Sequence, residues 1–365
     1  MGCGFSKKSA SPKPDPVKAI PDQTPPTMAT QSLTRAELEA AIAKYGPVLQ
    51  IHPDEKYDMC SIEWFLSHST LVDSKAPTAN IIHPTETQLP GPPKEDKRYY
   101  FNIEDTVKSG NFDTAKSYIN AFWTPGMTYT DIQFWYFSAY NGHGTARFSS
   151  LVFNQVKNQG DINLAPLGEH VGDWEYAAVR LDNTTKEMIG VILSAHGKNN
   201  LYDKATVAKQ FKMVDGTHPV VYSSLNGHAN FPTAGPNFTE HRKVLGIPAG
   251  LEFNLLNSTA DGGKRLECSV KYQVVAAKWL DGTPDAYTIP AWVAYAYRWG
   301  PEGTAITMDS KTLGDFIKAA LGKDASTLLD TPIVLLASEL LHIFVKADIN
   351  GAAAPATQNP WSGHY

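Results

Sequence analysis

The sequence predicts a mainly β protein: an antiparallel β-sandwich with a short N-terminal helix and a C-terminal helical segment. Three observations predict it. From about residue 45 to residue 300, short β-branched and aromatic runs alternate with Gly, Pro, Asn and Asp. No long helical pattern separates those runs, which argues against a parallel α/β sheet. The 365 residues include 16 Tyr and 8 Trp against 19% charged residues, a balance suited to a sheet-rich core.

Residues 1–31 come first in the chain and stand outside that pattern. In MGCGFSKK, Gly2 and Ser6 complete the Met-Gly-x-x-x-Ser/Thr pattern read by N-myristoyl transfer, and Cys3 beside it offers a thiol for a palmitoyl chain. One myristoyl chain holds a membrane only marginally, so the second acyl site and the cations of Lys7, Lys8, Lys13 and Lys18 matter physically. Residues 6–31 are rich in Pro, Ser, Lys and Thr without an apolar period, and 1–31 reads as a lipidated disordered tether; the alternative is a plain disordered tail.

The sandwich domain is expected over 32–302. It opens with a helix, RAELEAAIAKY, whose start is marked by the capping box Thr34 and Glu37, whose buried face is Leu38, Ala41 and Ile42, and which Gly46-Pro47 ends. Strands are expected at 131–140, 173–182, 188–195, 219–225, 251–256, 272–280 and 291–299. A helical segment packed on the sandwich is expected over 303–350. Its first helix is capped at Asp309 or Ser310 and carries Leu313, Phe316, Ile317 and Leu321; its second starts near Thr331 or Pro332. The apolar run within it, Ile333 to Val345, is too short to cross a bilayer and contains Glu339 and His342. Residues 351–365 read as a loose tail.

A net charge of −5 and no basic cluster after the first 20 residues exclude nucleic-acid binding as the main task. Cys3, Cys60 and Cys268 show no CxxC spacing, which fits a reducing compartment. No apolar stretch near the start reads as a secretory signal, so the sequons at Asn183, Asn237 and Asn257 are expected to stay unmodified and the protein to face the cytoplasm.

The densest polar grouping is GEHVGDWEYAAVRL, 168–181. On a strand, period two puts Asp173 and Glu175 on one face and Trp174 and Tyr176 on the other, with His170 able to fold back from a loop. Two carboxylates and an imidazole suit a hard divalent cation, Mg, Ca or Mn, rather than zinc. The alternative is a solvent-facing sheet surface with His170 in a turn and no metal. Five of the 11 histidines, His143, His170, His196, His218 and His228, fall between 143 and 228, several at strand ends that converge on one rim of a sandwich. There is no G-x-S-x-G elbow, phosphate loop or H-E-x-x-H.

Four blocks carry a resemblance: YGPVLQIHPDEKYDMCSIEWFL (45–66), QFWYFSAYNG (133–142), GEHVGDWEYAAVRL (168–181) and HPVVYSSLNGHANFP (218–232). In this order they resemble the vacuolar protein sorting-associated protein 62 family, over roughly 45–300. The last three are more distantly similar to the necrosis- and ethylene-inducing peptide-like proteins, secreted cytolysins with a β-sandwich fold and the heptapeptide GHRHDWE. That resemblance implies a divalent-cation site at His170, Asp173 and Glu175. The heptapeptide's second histidine falls on Gly172 and its arginine on Val171. The family's further acidic ligand falls on a stretch offering Tyr140 or Asn141, and His228 is a further candidate.

Three functions follow as expectations. The first, implied by the family resemblance, is a non-enzymatic, lipid-anchored protein of vacuolar sorting on the cytoplasmic face of a vacuolar, endosomal or plasma membrane, with membrane lipids and trafficking proteins as partners. The second is a cation-dependent lipid-binding or membrane-damaging protein. The third is a metal-assisted hydrolase with His228 as general base.

Overall fold

The computed structural model describes residues 32–91, 98–152, 155–244, 249–280, 287–301 and 351–365. The expected tether with Gly2 and Cys3, and the helical segment at 303–350, lie outside the described residues. In chain order the elements are α1 (Arg35–Tyr45), β1 (Val48–Gln50), α2 (Ile62–Ser67), β2 (Ser69–Asp73), β3 (Ile81–Ile82), β4 (Tyr99–Ile103), β5 (Ser117–Phe122) and β6 (Tyr129–Asn141). Then come β7 (Thr145–Val152), β8 (Gln155–Asn163), β9 (His170–Asp182), β10 (Met188–Ala195), β11 (Lys198–Asp203), α3 (Lys204–Gln210), β12 (Met213–Val214) and β13 (His218–Ser223). The remaining strands are β14 (Asn230–Phe231), β15 (Gly235–Val244), β16 (Ala249–Thr259), β17 (Arg265–Glu267) and β18 (Tyr272–Lys278). The fold is mainly β, as expected.

Six strands form the central sheet in the order β11-β10-β9-β6-β5-β18, antiparallel except where β18 runs parallel to β5. Its longest pairing, β6 with β9, runs from Tyr129 opposite Asp182 to Asn141 opposite His170. Period two then divides the side chains between two cores. Ile132, Phe134 and Tyr136 of β6 and Ala177, Val179 and Leu181 of β9 enter a first core with Leu38 and Ile42 of α1, Leu49 of β1, Val221 of β13 and Leu266 of β17. Trp135 and Phe137 of β6 and Trp174 and Tyr176 of β9 enter a second core with Phe65 of α2, Leu71 of β2, Phe101 of β4 and the aromatic segment around Trp292 and Trp299. Burial of each such side chain contributes about 1.5–3 kcal/mol. The central sheet is thus covered on both faces, and β9 has no solvent face in its middle.

α1 begins where expected: the Thr34 hydroxyl accepts from the Glu37 N–H, and the Glu37 carboxylate accepts from the Thr34 N–H at 2.8 Å. Gly46, with extended ψ of 126°, ends it ahead of Pro47, and a Cβ there would lie 2.8 Å from both the Ile42 carbonyl and the Ser269 nitrogen.

Two expectations need correction. The run 291–299 is not a strand. A 3-10 turn at Ala291–Ala294 follows Pro290, and only Arg298 makes isolated bridges, to Tyr100 and Ala353. Its aromatic residues, Trp292, Tyr295, Tyr297 and Trp299, are all buried, without a ladder beside them. Nor are residues 351–365 loose. Ala354 is fully buried, the Ala352 N–H donates to the Gly172 carbonyl at 3.2 Å, and the Asn120 amide donates to the Trp361 carbonyl at 2.8 Å. Gln133 donates to the Pro360 carbonyl at 2.5 Å and to the Tyr365 hydroxyl at 3.0 Å. This strap supplies acceptors for two buried amides on the second-core face, Asn120 and Gln133, which also bond to each other at 3.1 Å.

Candidate functional site: a buried acid and imidazole network

Asp173 and Glu175 sit near the start of β9, opposite Ser138 and Tyr136 of β6, on the face that further along holds the first core. There the sheet outruns its cover, and a loop from β13 closes the gap. In that loop Asn226 and His228 both take left-handed backbone, φ +66° and +51°. Such a conformation is uncommon outside glycine and needs compensation. It comes from side chains. The Asn226 N–H donates to Glu55 Oε2 at 2.6 Å, and the His228 Nδ1 lies 2.9 Å from Asp173 Oδ2.

Glu55 was not among the expected site residues, although it lies in the first of the four blocks, in IHPDEKY. Its other oxygen accepts from the Lys56 and Tyr57 N–H groups at 2.9 Å, which fixes the carboxylate under the loop. The His228 Nε2 lies 3.8 Å from Glu55 Oε2, with both side chains 2% exposed. His228 therefore bridges two carboxylates. Burial alone would strip its proton, but the hydrogen bond to Asp173 and the charges of Glu55, Asp173 and Glu175 reverse that and push it up to about 9. The flanking carboxylates thus favour the protonated ring.

Glu175 is held from the other side. Strand β10 leaves its ladder with β9 after Leu193, opposite Ala177. The next residue, Ser194, replaces the missing backbone with its hydroxyl, which accepts from the Tyr176 N–H at 3.0 Å and lies 2.8 Å from the Tyr176 carbonyl. It donates to Glu175 and accepts from the Asn230 amide at 3.0 Å. Burial, then the neighbouring charge of Asp173, pushes the Glu175 carboxyl up to about 8. His170, at the first position of β9, turns its Nδ1 to the Gly172 carbonyl at 3.0 Å, and desolvation lowers its affinity for a proton against the pull of Asp173.

So three expected residues, Asp173, Glu175 and His228, are close enough for their charges to act on one another and Glu55 joins them, while His170 turns its ring to the Gly172 carbonyl and feels them through charge alone. Asn141 does not. Its amide donates to the Gly142 and Gly168 carbonyls at 3.0 and 2.7 Å and ties a loop together. Tyr140 donates to Glu169 at 2.8 Å and packs on Tyr57 with ring centroids 5.0 Å apart. His143, His196 and His218 lie elsewhere, bonded to Asn163, Asn257 and the Gly46 carbonyl.

Oxygen-rich donors suit Mg, Ca or Mn in their chemistry. As placed, they are engaged with one another: among the described residues no three His, Cys, Asp or Glu side chains are grouped to hold an ion. Asp173 and Glu55 share the single His228 ring, whose Nε2 has no hydrogen-bond partner among the described residues.

Beside Glu175 lies a cavity of about 480 Å³ between the β9 edge, the β10–β11 hairpin and the strap. Trp174, Glu175, Tyr176, Ser194, Gly197 and Asn199 line one side, and residues 358–360 with His364 and Tyr365 the other.

The model of a family described as vacuolar protein sorting-associated protein 62 matches residues 7–364. Among solved structures, necrosis and ethylene inducing protein 2 from the causal agent of cocoa's witches' broom disease is 20% identical, covering 53% of this chain and 67% of that one at a TM-score of 0.28. The protein NLPPya in complex with glucosamine is 14% identical, covering 65% and 74% at 0.29. The non-toxic HaNLP3 protein is 12% identical, covering 66% and 77% at 0.30. At such scores these likenesses carry no argument about activity. No curated protein matches the chain.

Proposed function

The chain belongs to the vacuolar protein sorting-associated protein 62 family, and from that premise we propose that it is a lipid-anchored, non-enzymatic peripheral protein of vacuolar sorting. It works on the cytoplasmic face of a vacuolar, endosomal or plasma membrane, with membrane lipids and trafficking proteins as partners. The observation that carries the reading is the family match, joined by the Gly2, Cys3 and Ser6 signal ahead of the matched residues. Among the described residues no helix is long and apolar enough to cross a membrane. A non-enzymatic role is supported by the burial of His228 between two carboxylates, a structural use of the ring. The test is Gly2→Ala followed by membrane fractionation in cells. Release of the variant into the soluble fraction is expected; a variant that stays with membranes defeats the anchor.

A second reading is favoured by the surplus of carboxylates over imidazolium. A divalent cation, Mg, Ca or Mn, drawn to Asp173, Glu175 and His170 would balance it and link the protein to lipid headgroups. Binding to anionic liposomes should then require the cation and vanish in the Asp173→Ala, Glu175→Gln double variant. Binding that survives chelator or the double substitution removes this reading.

A further inference from the structure

The four-stranded sheet β15-β16-β7-β8 has two unlike faces. Cross-strand partners share a face, so Ala146 lies with Leu255 and Ile162, and Phe148 lies with Phe253 and Gly160. On the opposite face Arg147 pairs with Asp161 at 2.6 Å and lies over the ring of Phe238, which is 46% exposed. The first face is closed: Ala146, Phe148 and Phe253 are 0% exposed, and the two rings stand 5.8 Å apart. Strands beside a ring cover its flanks, and only a second layer covers its top. Yet these residues belong to neither of the two cores, and among the described residues no helix or strand outside the sheet packs along its strands.

The chain supplies a cover at the right place. Residues 302–350 leave from Pro301 and return at Gly351, whose N–H donates back to the Pro301 carbonyl at 3.4 Å. Both ends are clasped on β9: a Cβ on Gly300 would lie 2.3 Å from the Val171 carbonyl, and one on Gly351 would lie 2.7 Å from it. Val171 stands opposite Tyr140 near the end of β6, and β7 begins soon after at Thr145, opposite Asn163, the last residue of β8. The chain therefore leaves and returns beside the base of this sheet. Its sequence fits the closed face. On the helix expected to start near Thr331 or Pro332, Ile333, Leu336, Leu340 and Phe344 form one stripe, while Ser338, Glu339, His342 and Lys346 fall on the other side. As a helix, Ile333 to Val345 would run about 20 Å, against about 27 Å for the eight residues of β7. We propose that the segment 331–346 docks on the face of Phe148 and Phe253 and forms a third core with it. This apolar face is then an internal docking surface, closed to lipid and to other chains.

Photo-cross-linking of the full chain tests this. With p-benzoylphenylalanine in place of Phe253, irradiation followed by peptide mass analysis should join this position to residues 331–346. Mixing isotope-labelled and unlabelled chains separates products within one chain from products between copies, and the former are expected. Leu255, half-buried on the same face, should give the same product, and it decides the matter alone if the Phe253 variant does not fold. The same group at Phe238, on the opposite face, should reach none of these residues. The proposal is overturned by the absence of a product from the first face, by products confined to other parts of the chain, or by products that join two copies. Lipid adducts formed when phosphatidylserine vesicles are added, or an equal yield from Phe238, overturn it as well. None of these outcomes bears on the Gly2→Ala fractionation.

Discussion

His228 illustrates how few contacts decide this site. It is 2% exposed, lies 2.9 Å from Asp173 and 3.8 Å from Glu55, and occupies left-handed backbone. Removing it leaves two carboxylates facing each other without a counter-charge, a loss of about 3–5 kcal/mol by the usual cost of breaking a buried pair. His228→Ala should therefore shift the urea midpoint strongly, and a midpoint unchanged from wild type would contradict the pairing. The same network fixes a pH dependence. His228 goes from an ordinary 6.5 up to about 9, and Glu175 from 4.5 up to about 8. Both groups hold the proton more tightly when folded. Their contribution is complete below the unfolded values and is lost as pH rises through about 8 and 9. Stability should fall steadily between about pH 5 and pH 9, and Glu175→Gln should flatten the lower part of that fall while leaving the upper part. A stability that instead rises over this range would reverse the assignment. Of these residues, His170, Asp173, Glu175 and His228 were legible because a strand period and a cluster of histidines flagged them. Glu55 and Ser194 were not: Glu55 meets a loop 171 residues further along the chain, and Ser194 reaches Glu175 from the neighbouring strand only where β10 leaves its ladder with β9, neither of which local spacing encodes.

Among the elements, the strands read correctly were those rich in β-branched and aromatic residues, such as β6 and β9, because each side of such a strand has a core to fill. The strands β7, β8 and β15 went unread. Their sheet, completed by β16, buries Ala146, Phe148, Ile162 and Phe253, while Val156 and Phe238 face solvent, so the alternation that betrays a strand is faint. The opposite error arose at 291–299, where aromatic residues recur at alternate positions from Tyr295 to Trp299 but Pro290 opens a 3-10 turn and no ladder forms. The strap at 351–365 was misread because its anchors are main-chain carbonyls, invisible in side-chain pattern. Where β10 ends, a side chain does the work of a strand. Ser194→Ala should cost about 1–3 kcal/mol by leaving the Tyr176 N–H and the Asn230 amide short of a partner. Thermal unfolding measures it, and a loss no larger than that of an exposed Ser→Ala control would show that the hydroxyl holds nothing.

For the whole molecule, the two cores lie back to back on one sheet, and the same strands contribute alternate residues to both. Neither core can dissolve while β6 and β9 remain paired, since each residue that leaves one face frees the backbone that supports the other. The sandwich should therefore unfold in one step despite its size, with no stage in which only one face is exposed. Two thiols report on this. Cys60 belongs to the second core and Cys268 to the first; both are fully buried, and burial pushes the Cys268 thiol up to about 12. In a Cys3→Ser background these are the two remaining cysteines. Pulse labelling with a thiol reagent across a urea series, resolved by peptide mass, should give the same midpoint for Cys60 and Cys268, coincident with the loss of tryptophan fluorescence anisotropy. Six of the eight tryptophans, Trp64, Trp135, Trp174, Trp292, Trp299 and Trp361, lie in or against the second core, so fluorescence alone would report one face. Labelling of Cys60 at clearly lower urea than Cys268 would mean that the second core and its strap can peel away from an intact first core, and that the shared sheet does not couple them.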